Sequence, residues 1–216
     1  MRYAAAITTH TASIVLGGRF VTWIFVLGAF VFALSGGLAG ARKHYDFFGV
    51  IVMAGVVGLT GGALRDTFLG VPAVAIFDWR LVLAVLAAGT VAFFAHGPLL
   101  RLHYPIQVLD GIGLSLFSVI GAEIALQHHA SALAAAALGT VTGIGGGIVR
   151  DVLLNELPQV FHSGLYAIPS LLASGIVVAV AQTHHLNVAW CLGAATVCLV
   201  VRLIGIFYDV NLPRAA

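Results

Sequence analysis

Long apolar stretches, separated by short polar breaks, run along most of the chain. Each stretch covers roughly 17 to 23 residues, close to the length that an α-helix needs to cross the hydrocarbon core of a bilayer. The breaks contain residues that cap helices or end them, such as Asp46, Asp78 and Pro98. The pattern predicts seven membrane spans, at residues 20–39, 47–69, 79–95, 108–126, 132–154, 164–181 and 188–207.

The composition points to the same fold class. Hydrophobic residues make up 61% of the chain and charged residues only 8%, whereas a soluble domain has about a quarter of its residues charged. The long apolar runs favour helices over the short alternating segments of an outer-membrane barrel. We therefore predict an all-α integral membrane protein with a single transmembrane domain over residues 1–216. The two cysteines, Cys191 and Cys198, lie within one apolar run and are interpreted as packing residues.

Several classes of function are disfavoured by the same sequence. A net formal charge of +2 is too small to indicate binding to nucleic acid. The sequence contains no phosphate-binding loop of the Walker type, no nucleophile elbow and no zinc-ligand spacing. We accordingly predict no enzymatic activity, no catalytic residue, no metal and no cofactor.

One motif occurs twice, and it combines two features that membrane helices normally avoid. Glycines weaken a helix, and a charged pair is costly inside hydrocarbon. The candidate hinge or pore glycines are Gly58, Gly61, Gly62, Gly143, Gly145, Gly146 and Gly147. The candidate polar residues of the pore are Thr60, Arg65, Asp66, Arg150 and Asp151, with Glu123 and Arg202 as further candidates inside spans.

The two copies of the motif belong to a longer internal repeat. Arg65 and Arg150 are 85 residues apart, and the same offset aligns the flanking spans without a gap. The predicted units cover residues 20–97 and 105–182, and the helix at 188–207 lies outside them. Because each unit contains three spans, the second must cross the membrane in the opposite sense, as in an inverted repeat. The two motifs would then approach the bilayer midplane from opposite sides.

The orientation follows from the distribution of basic residues over the loops. One side would hold Arg42, Lys43, Arg101 and Arg214, and the other Arg2, Arg19 and Arg80. The excess of four over three predicts that the N-terminus lies outside and the C-terminus in the cytoplasm.

The residues alone leave two interpretations of the motif open. Scattered glycines are typical of close packing between helices, but three in a row at 145–147 favour local unwinding that presents carbonyl groups to a cation path. The Arg–Asp pairs could line such a path or fasten the two units together. Neighbouring helical residues point about 100° apart, so we expect each arginine to reach past its own aspartate to another helix.

The sequence resembles the bacterial and archaeal relatives of trimeric intracellular cation channels over nearly its whole length. The resemblance rests on the doubled GGGxxRD pattern and on residues 32–36, 46–50, 61–66, 110–117, 143–154, 202–203 and 212–213. It implies a seven-helix protomer in a homotrimer, with a pore in each protomer between the kinked second and fifth spans. The implied activity is passive passage of monovalent cations, chiefly K⁺ and also Na⁺, across a prokaryotic plasma (inner) membrane, in contact with lipid. Thr60 departs from the family, which often has three glycines there.

Two other functions remain open at this point. Some bacterial proteins with nearly the same motifs are regarded as transporters of small amino acids, notably glycine, and an inverted repeat suits alternating access equally well. A structural membrane protein without transport would keep Arg65 and Arg150 in a dry, paired cluster. We rank the channel first, the secondary transporter second and the structural protein third.

Overall fold

The computed structural model describes residues 18–102, 104–162, 165–208 and 210. In this part of the chain every regular element is a helix. The helices are α1 (Gly18–Arg42), α2 (Phe47–Phe68), α3 (Val74–Phe77), α4 (Trp79–Leu99), α5 (Pro105–Gln127), α6 (Ala132–Leu153), α7 (Gln159–His162), α8 (Ala167–Gln182) and α9 (Val188–Tyr208).

Polar side chains start several of these helices, as the sequence predicts. Asp46 Oδ1 accepts a hydrogen bond from the Gly49 N–H at 2.7 Å at the start of α2. Ser131 Oγ accepts one from the Ala134 N–H at 3.3 Å at the start of α6. Each cap satisfies a backbone donor that the first turn of a helix leaves free. Ser163, which stands 85 residues after the cap Asp78, lies outside the described residues, as do the terminal arginines Arg2 and Arg214.

The bounds of the helices recur at the 85-residue spacing that separates the two copies of the motif. Helices α2 and α6 begin and end 85 residues apart, and so do the short helices α3 and α7. Left-handed backbone conformations recur at the same spacing, at His44 and His129 and at Gly70 and Asn155. These positions end or turn the chain after corresponding helices, so the two halves share local structure as well as sequence.

Within the residues that the structure describes, six helices are long and apolar enough to cross a membrane, namely α1, α2, α4, α5, α6 and α9. Helix α8, which corresponds to the predicted sixth span, has 16 described residues. At 1.5 Å per residue it is about 24 Å long, against about 30 Å of hydrocarbon. The protein is thus an all-helical membrane protein with six full-length candidate spans and one shorter apolar helix.

Helices α1 and α5 form the centre of the fold. Helix α1 packs on α2, α4 and α5, while α5 packs on α1, α6, α8 and α9. Helix α2 also packs on α6, so α1, α2, α5 and α6 join the two halves. Helix α9 covers α5 and α8 of the second half.

One predicted boundary is wrong by a full turn. The sequence predicts that the third span ends at residue 95, before Gly97 and Pro98, but α4 continues to Leu99. Proline removes one helical hydrogen bond and crowds the preceding turn. Pro98 therefore forgoes only the bond that its own N–H would make to the Phe94 carbonyl, and the helix ends one residue later.

Candidate functional site

The two glycine motifs meet where α2 crosses α6. A Cβ atom added at Gly61 would collide with the Thr142 carbonyl oxygen, and one added at Gly146 would collide with the Val57 carbonyl oxygen. Only glycine lets two backbones approach this closely. Gly145 takes part as well, since a Cβ there would lie 3.4 Å from the Gly61 Cα.

The contacts at this crossing are reciprocal. Gly61 and Gly146 occupy the same place in the two copies of the motif, and so do Val57 and Thr142, each pair 85 residues apart. Gly61 contacts Thr142 and Gly146 contacts Val57, so the two contacts are equivalent under the repeat. Helices α2 and α6 therefore use the same surface to contact each other.

Helix α6 is continuous from Ala132 to Leu153. The prediction that Gly145, Gly146 and Gly147 form an unwound segment is therefore wrong. These glycines leave room instead for neighbouring groups: the Val57 carbonyl lies against Gly146, and the Tyr166 hydroxyl lies against Gly147. Close packing, the other interpretation of the sequence, accounts for these glycines.

Two further glycines of the motifs face the central helices. A Cβ added at Gly58 would lie 2.9 Å from the Ala33 Cβ on α1. One added at Gly143, the corresponding position, would collide with the Ser118 hydroxyl on α5. Gly62 is different, because its nearest neighbour would be the Phe25 ring at 3.7 Å, an ordinary van der Waals contact.

In the first Arg–Asp pair, Arg65 forms its ion pair with the neighbouring Asp66. Arg65 Nε and Nη2 both donate to Asp66 Oδ1, at 2.8 and 2.6 Å, and the two residues are 0% and 2% exposed. The other carboxylate oxygen, Asp66 Oδ2, accepts a hydrogen bond from the Val74 N–H at 2.9 Å. The guanidinium carbon of Arg65 lies 5.7 Å from the centre of the Phe25 ring, within range of a cation–π contact.

The second pair has the same core and one additional carboxylate. Arg150 Nε donates to Asp151 Oδ1 at 2.9 Å, and Asp151 Oδ2 accepts from the Gln159 N–H at 2.9 Å. Arg150 Nη1 also donates to Asp110 Oδ1 on α5 at 2.6 Å and to Ser35 Oγ on α1 at 3.4 Å.

The expectation that each arginine reaches past its own aspartate to another helix is wrong for Arg65, whereas Arg150 reaches Asp110 on α5 and Ser35 on α1 in addition to its own aspartate. A long arginine side chain can fold back so that its guanidinium reaches the neighbouring carboxylate, and a buried charge needs that partner. Arg150 does both, because it also reaches α5. In each copy the aspartate joins its arginine to the first turn of the short helix that follows, α3 or α7.

Arg202 on α9 extends the second cluster. Its Nη2 donates to Gln159 Oε1 at 2.6 Å and its Nη1 to the Leu165 carbonyl at 3.1 Å. Its guanidinium carbon stacks 4.6 Å from the centre of the Tyr166 ring. Arg202 is one of the candidates predicted from the sequence, and the structure places it beside Arg150 and Asp151 on one cavity.

That cavity has a volume of about 650 Å³ and opens at one face of the molecule. Arg150, Asp151 and Arg202 line its buried part, and Gln107 lies on the wall. Arg42 and Glu156 also line the cavity, and both are partly exposed.

An ion pair spans the two halves beside this cavity. Glu156 Oε1 lies 2.8 Å from Lys43 Nζ and 3.5 Å from Arg42 Nη2. The hydrogen bond from Lys43, together with the positive charges of Arg42, Lys43 and Arg150, lowers the pKa of Glu156, and partial burial opposes this shift. Glu156 is therefore an anion at neutral pH beside the predominantly basic lining.

The corresponding positions of the first half are apolar. Val71, Val74 and Phe77 stand where the second half has Glu156, Gln159 and His162. Phe25 stands in place of Asp110. The polar environment of the second motif is thus much more extensive than that of the first.

Two of the predicted polar residues lie away from the arginine clusters. Thr60 Oγ1 donates to the Val56 carbonyl of its own helix. Glu123 is 3% exposed and accepts a hydrogen bond from Gln127 Nε2 at 3.2 Å. It lies 13 residues beyond Asp110 on α5, or about 20 Å along the helix. Within the described residues no group of three or more His, Cys, Asp or Glu side chains could hold a metal ion.

The sequence did not mark Asp110, Tyr166, Ser35 and Gln159 as members of the site. Asp110 stands at the third position of the predicted fourth span, but α5 begins at Pro105 and buries Asp110 in its second turn. Pro105 carries the missing signal, since proline favours the first position of a helix. No comparable signal marks Tyr166, whose position depends on how the chain returns from α7 to α8.

The fold and the site define a helical integral membrane protein with a duplicated Arg–Asp motif. A family model described as "Glycine transporter" matches residues 22–97 and again residues 107–182. The chain is 34% identical to the UPF0126 inner membrane protein YadS of Escherichia coli over 201 residues, covering 91% of this chain and 96% of that protein. It is 33% identical over 194 residues to a UPF0126 membrane protein of Deinococcus radiodurans, covering 88% of this chain and 90% of the relative.

Solved structures agree with these relatives. The fold matches the TRIC channel orthologue of Rhodobacter sphaeroides with a TM-score of 0.83 and 32% identity, over 88% of this chain and 99% of that one. It matches a prokaryotic TRIC channel crystallised in 0.5 M KCl with a TM-score of 0.83 and 27% identity, over 90% of this chain and 99% of that one. The chain belongs to the family of membrane proteins that the model described as "Glycine transporter" defines. The resemblance to prokaryotic TRIC channels predicted from the doubled motif is confirmed.

Proposed function

We propose that the protein is a passive channel for monovalent cations, chiefly K⁺, in the prokaryotic inner membrane. The observation that carries the proposal is the match to the Rhodobacter sphaeroides TRIC channel, with a TM-score of 0.83 and 32% identity. The E. coli relative is named as an inner membrane protein, which supports the proposed location. The name of the solved relatives also supports assembly as a homotrimer.

The proposed fold is an inverted repeat. Its support lies in two sets of reciprocal contacts. Along α2 the contacts run from Val57 to Gly61, while along α6 they run backwards from Gly146 to Thr142. A Cβ at Gly28 of α1 would lie 2.8 Å from the Phe117 ring of α5, and one at Gly113 would lie 2.6 Å from the Phe32 ring. Antiparallel contacts of this kind are expected from a two-fold axis lying in the membrane plane.

The proposed pore runs within each protomer along α2 and α6. The support for this is that the glycines of both motifs meet at one crossing, with an Arg–Asp pair on either side of it, and that the cavity reaches Arg150. Backbone contacts at Gly61 and Gly146 close the crossing in this structure. Conduction therefore requires α2 and α6 to move apart or to kink, and the glycines allow both.

The orientation remains as proposed from the loops, with the C-terminus cytoplasmic. The cavity then opens on the cytoplasmic side, because Arg42 follows α1, Tyr104 precedes α5 and Glu156 follows α6. Cations would reach the cavity through the Arg42–Lys43–Glu156 cluster.

The family description supports a second candidate, a secondary transporter of glycine. A cavity lined by Arg202 and Arg150 as well as Asp151 offers partners for both charged ends of a zwitterion. The two functions differ in their kinetics. A channel conducts in proportion to the driving force, whereas a transporter saturates with substrate.

Purified protein in liposomes distinguishes the candidates. We expect valinomycin-independent K⁺ efflux and no uptake of labelled glycine above that of protein-free liposomes. Saturable glycine accumulation without K⁺ flux would replace the channel with the transporter.

A further inference from the structure

The second half of the fold departs from the first at a group of positions that all contact Arg202. A Cβ added at Gly111 would lie 3.0 Å from the Arg202 Cγ, so the arginine stem packs where the first half has Val26. Tyr166 stacks on the guanidinium where the first half has Leu81. These differences make a socket for a residue of α9, the helix that lies outside the repeat.

Arg202 adds a positive charge to a cluster that the duplication alone would leave neutral. Each copy of the motif contributes one arginine and one aspartate, which balance. Asp110, in the place of Phe25, contributes a second carboxylate and forms an ion pair with Arg150 at 2.6 Å. The cluster of Arg150, Arg202, Asp110 and Asp151 therefore has two charges of each sign.

The two added charges differ in their relation to the cavity. Arg202, Arg150 and Asp151 line the cavity, whereas Asp110 is fully buried behind Arg150. An ion in the buried part of the cavity thus meets two guanidinium groups and one carboxylate directly, while Arg42 and Glu156 line its partly exposed part. The carboxylate of Asp110 reduces this positive field from behind.

We infer that Asp110 and Arg202 are opposing determinants of ion selectivity in this cavity. Asp110 keeps the cavity permissive for cations by offsetting Arg150 and Arg202, and Arg202 limits how strongly cations are held. Asp110 acts through the field at Arg150 and is a positioning residue, while Arg202 faces the ion. This inference rests on the proposed channel function and specifies the residues that set its charge preference.

The expected size of the effect follows from Coulomb's law. One unit charge about 8 Å from a permeating ion, at an effective dielectric constant between about 20 and 80, changes its occupancy about two- to thirtyfold. Arg202→Gln should raise the K⁺/Cl⁻ permeability ratio by at least a factor in this range, because the occupancy of Cl⁻ falls as that of K⁺ rises. Asp110→Asn should lower the ratio by a similar factor.

The test uses the full-length protein in planar bilayers under a KCl gradient, with the reversal potential as readout. Asp110→Glu and Arg202→Lys are matched controls that retain the charges and should keep the wild-type ratio. The double variant Asp110→Asn/Arg202→Gln restores the neutral balance and should return the ratio towards the wild-type value. A merely structural role would change stability or the number of active channels without these opposite shifts.

The outcomes separate the inference from the proposed function. If Arg202→Gln conducts with an unchanged permeability ratio, the inference is overturned while the channel stands. That variant decides the matter even if Asp110→Asn fails to fold. If the wild-type protein carries no K⁺ current, the proposed function fails and the inference fails with it.

Discussion

Alanine at Gly146 should separate the two helices that carry the motif. The added Cβ would collide with the Val57 carbonyl oxygen, which belongs to a helix backbone and cannot rotate away. Overpacking of this kind costs about 1–3 kcal/mol, while replacement of glycine by alanine inside a helix contributes about 1 kcal/mol of stability. Because the contacts are reciprocal, Gly61→Ala should give a similar result.

Gly62→Ala is the matched control on the same helix. Its Cβ would lie no closer than 3.7 Å to its nearest neighbour, so this variant gains the helix propensity without the collision. The difference between Gly62→Ala and Gly61→Ala or Gly146→Ala isolates the cost of the backbone contact. For a chain of this size each kcal/mol shifts the Tm by about 2–4 °C, so the difference should be about 2–12 °C.

The assay is thermal unfolding of the purified protein in detergent, followed by intrinsic tryptophan fluorescence. The glycine contact would be refuted if Gly61→Ala and Gly146→Ala unfolded at the same temperature as Gly62→Ala. Conductance measured after the same variants are reconstituted into planar bilayers shows whether the α2–α6 crossing also controls the pore. We expect altered currents from both collision variants and wild-type currents from Gly62→Ala.

Three further predictions concern the charged residues and the cysteines. Asp66→Asn should destabilise the protein by about 3–5 kcal/mol, because Asp66 is the carboxylate paired with Arg65 in the described part of the chain. Asp151→Asn should destabilise it by clearly less, because Arg150 keeps its ion pair with Asp110. Equal losses of unfolding free energy in chemical denaturation would contradict this. Glu156→Gln should cost at most about 1 kcal/mol at pH 7, since this ion pair is partly exposed. The lowered pKa of Glu156 means that its contribution is present above the unfolded pKa of about 4.3 and lost as the pH falls through the folded pKa. The stability difference between wild type and variant should therefore shrink as the pH falls below about 4.3, and a difference that stays constant would exclude the ion pair as its source. Cys191 and Cys198 are buried and unpaired, so a membrane-impermeant maleimide should label them only after denaturation, and labelling of the native protein would contradict their burial.

The sequence was sufficient for the helices and for their duplication. Apolar runs of membrane-spanning length predicted the long helices, and the 85-residue spacing of Arg65 and Arg150 matches the equal bounds of α2 and α6. The sequence could not distinguish the short helix α8 from a full span, because residues 164–166 are compatible with a helix by composition. In the structure, Leu165 and Tyr166 lie in a turn before α8.

The detailed site depended on contacts between distant segments. Glycine both weakens a helix and allows close approach, and only the position of the Val57 carbonyl shows that Gly146 serves packing. Asp110 was missed because nothing local places it beside Arg150, 40 residues away. The two copies of the motif differ in sequence where Thr60 corresponds to Gly145. They differ more in charge outside the motif, where Phe25 corresponds to Asp110.

Single-channel recording in planar bilayers tests the central proposal most directly. With KCl at different concentrations on the two sides, we predict discrete currents whose reversal potential is displaced from zero towards the K⁺ equilibrium potential and which are unchanged by added glycine. Silent bilayers from protein that accumulates labelled glycine in liposomes would contradict the channel and establish the transporter in its place.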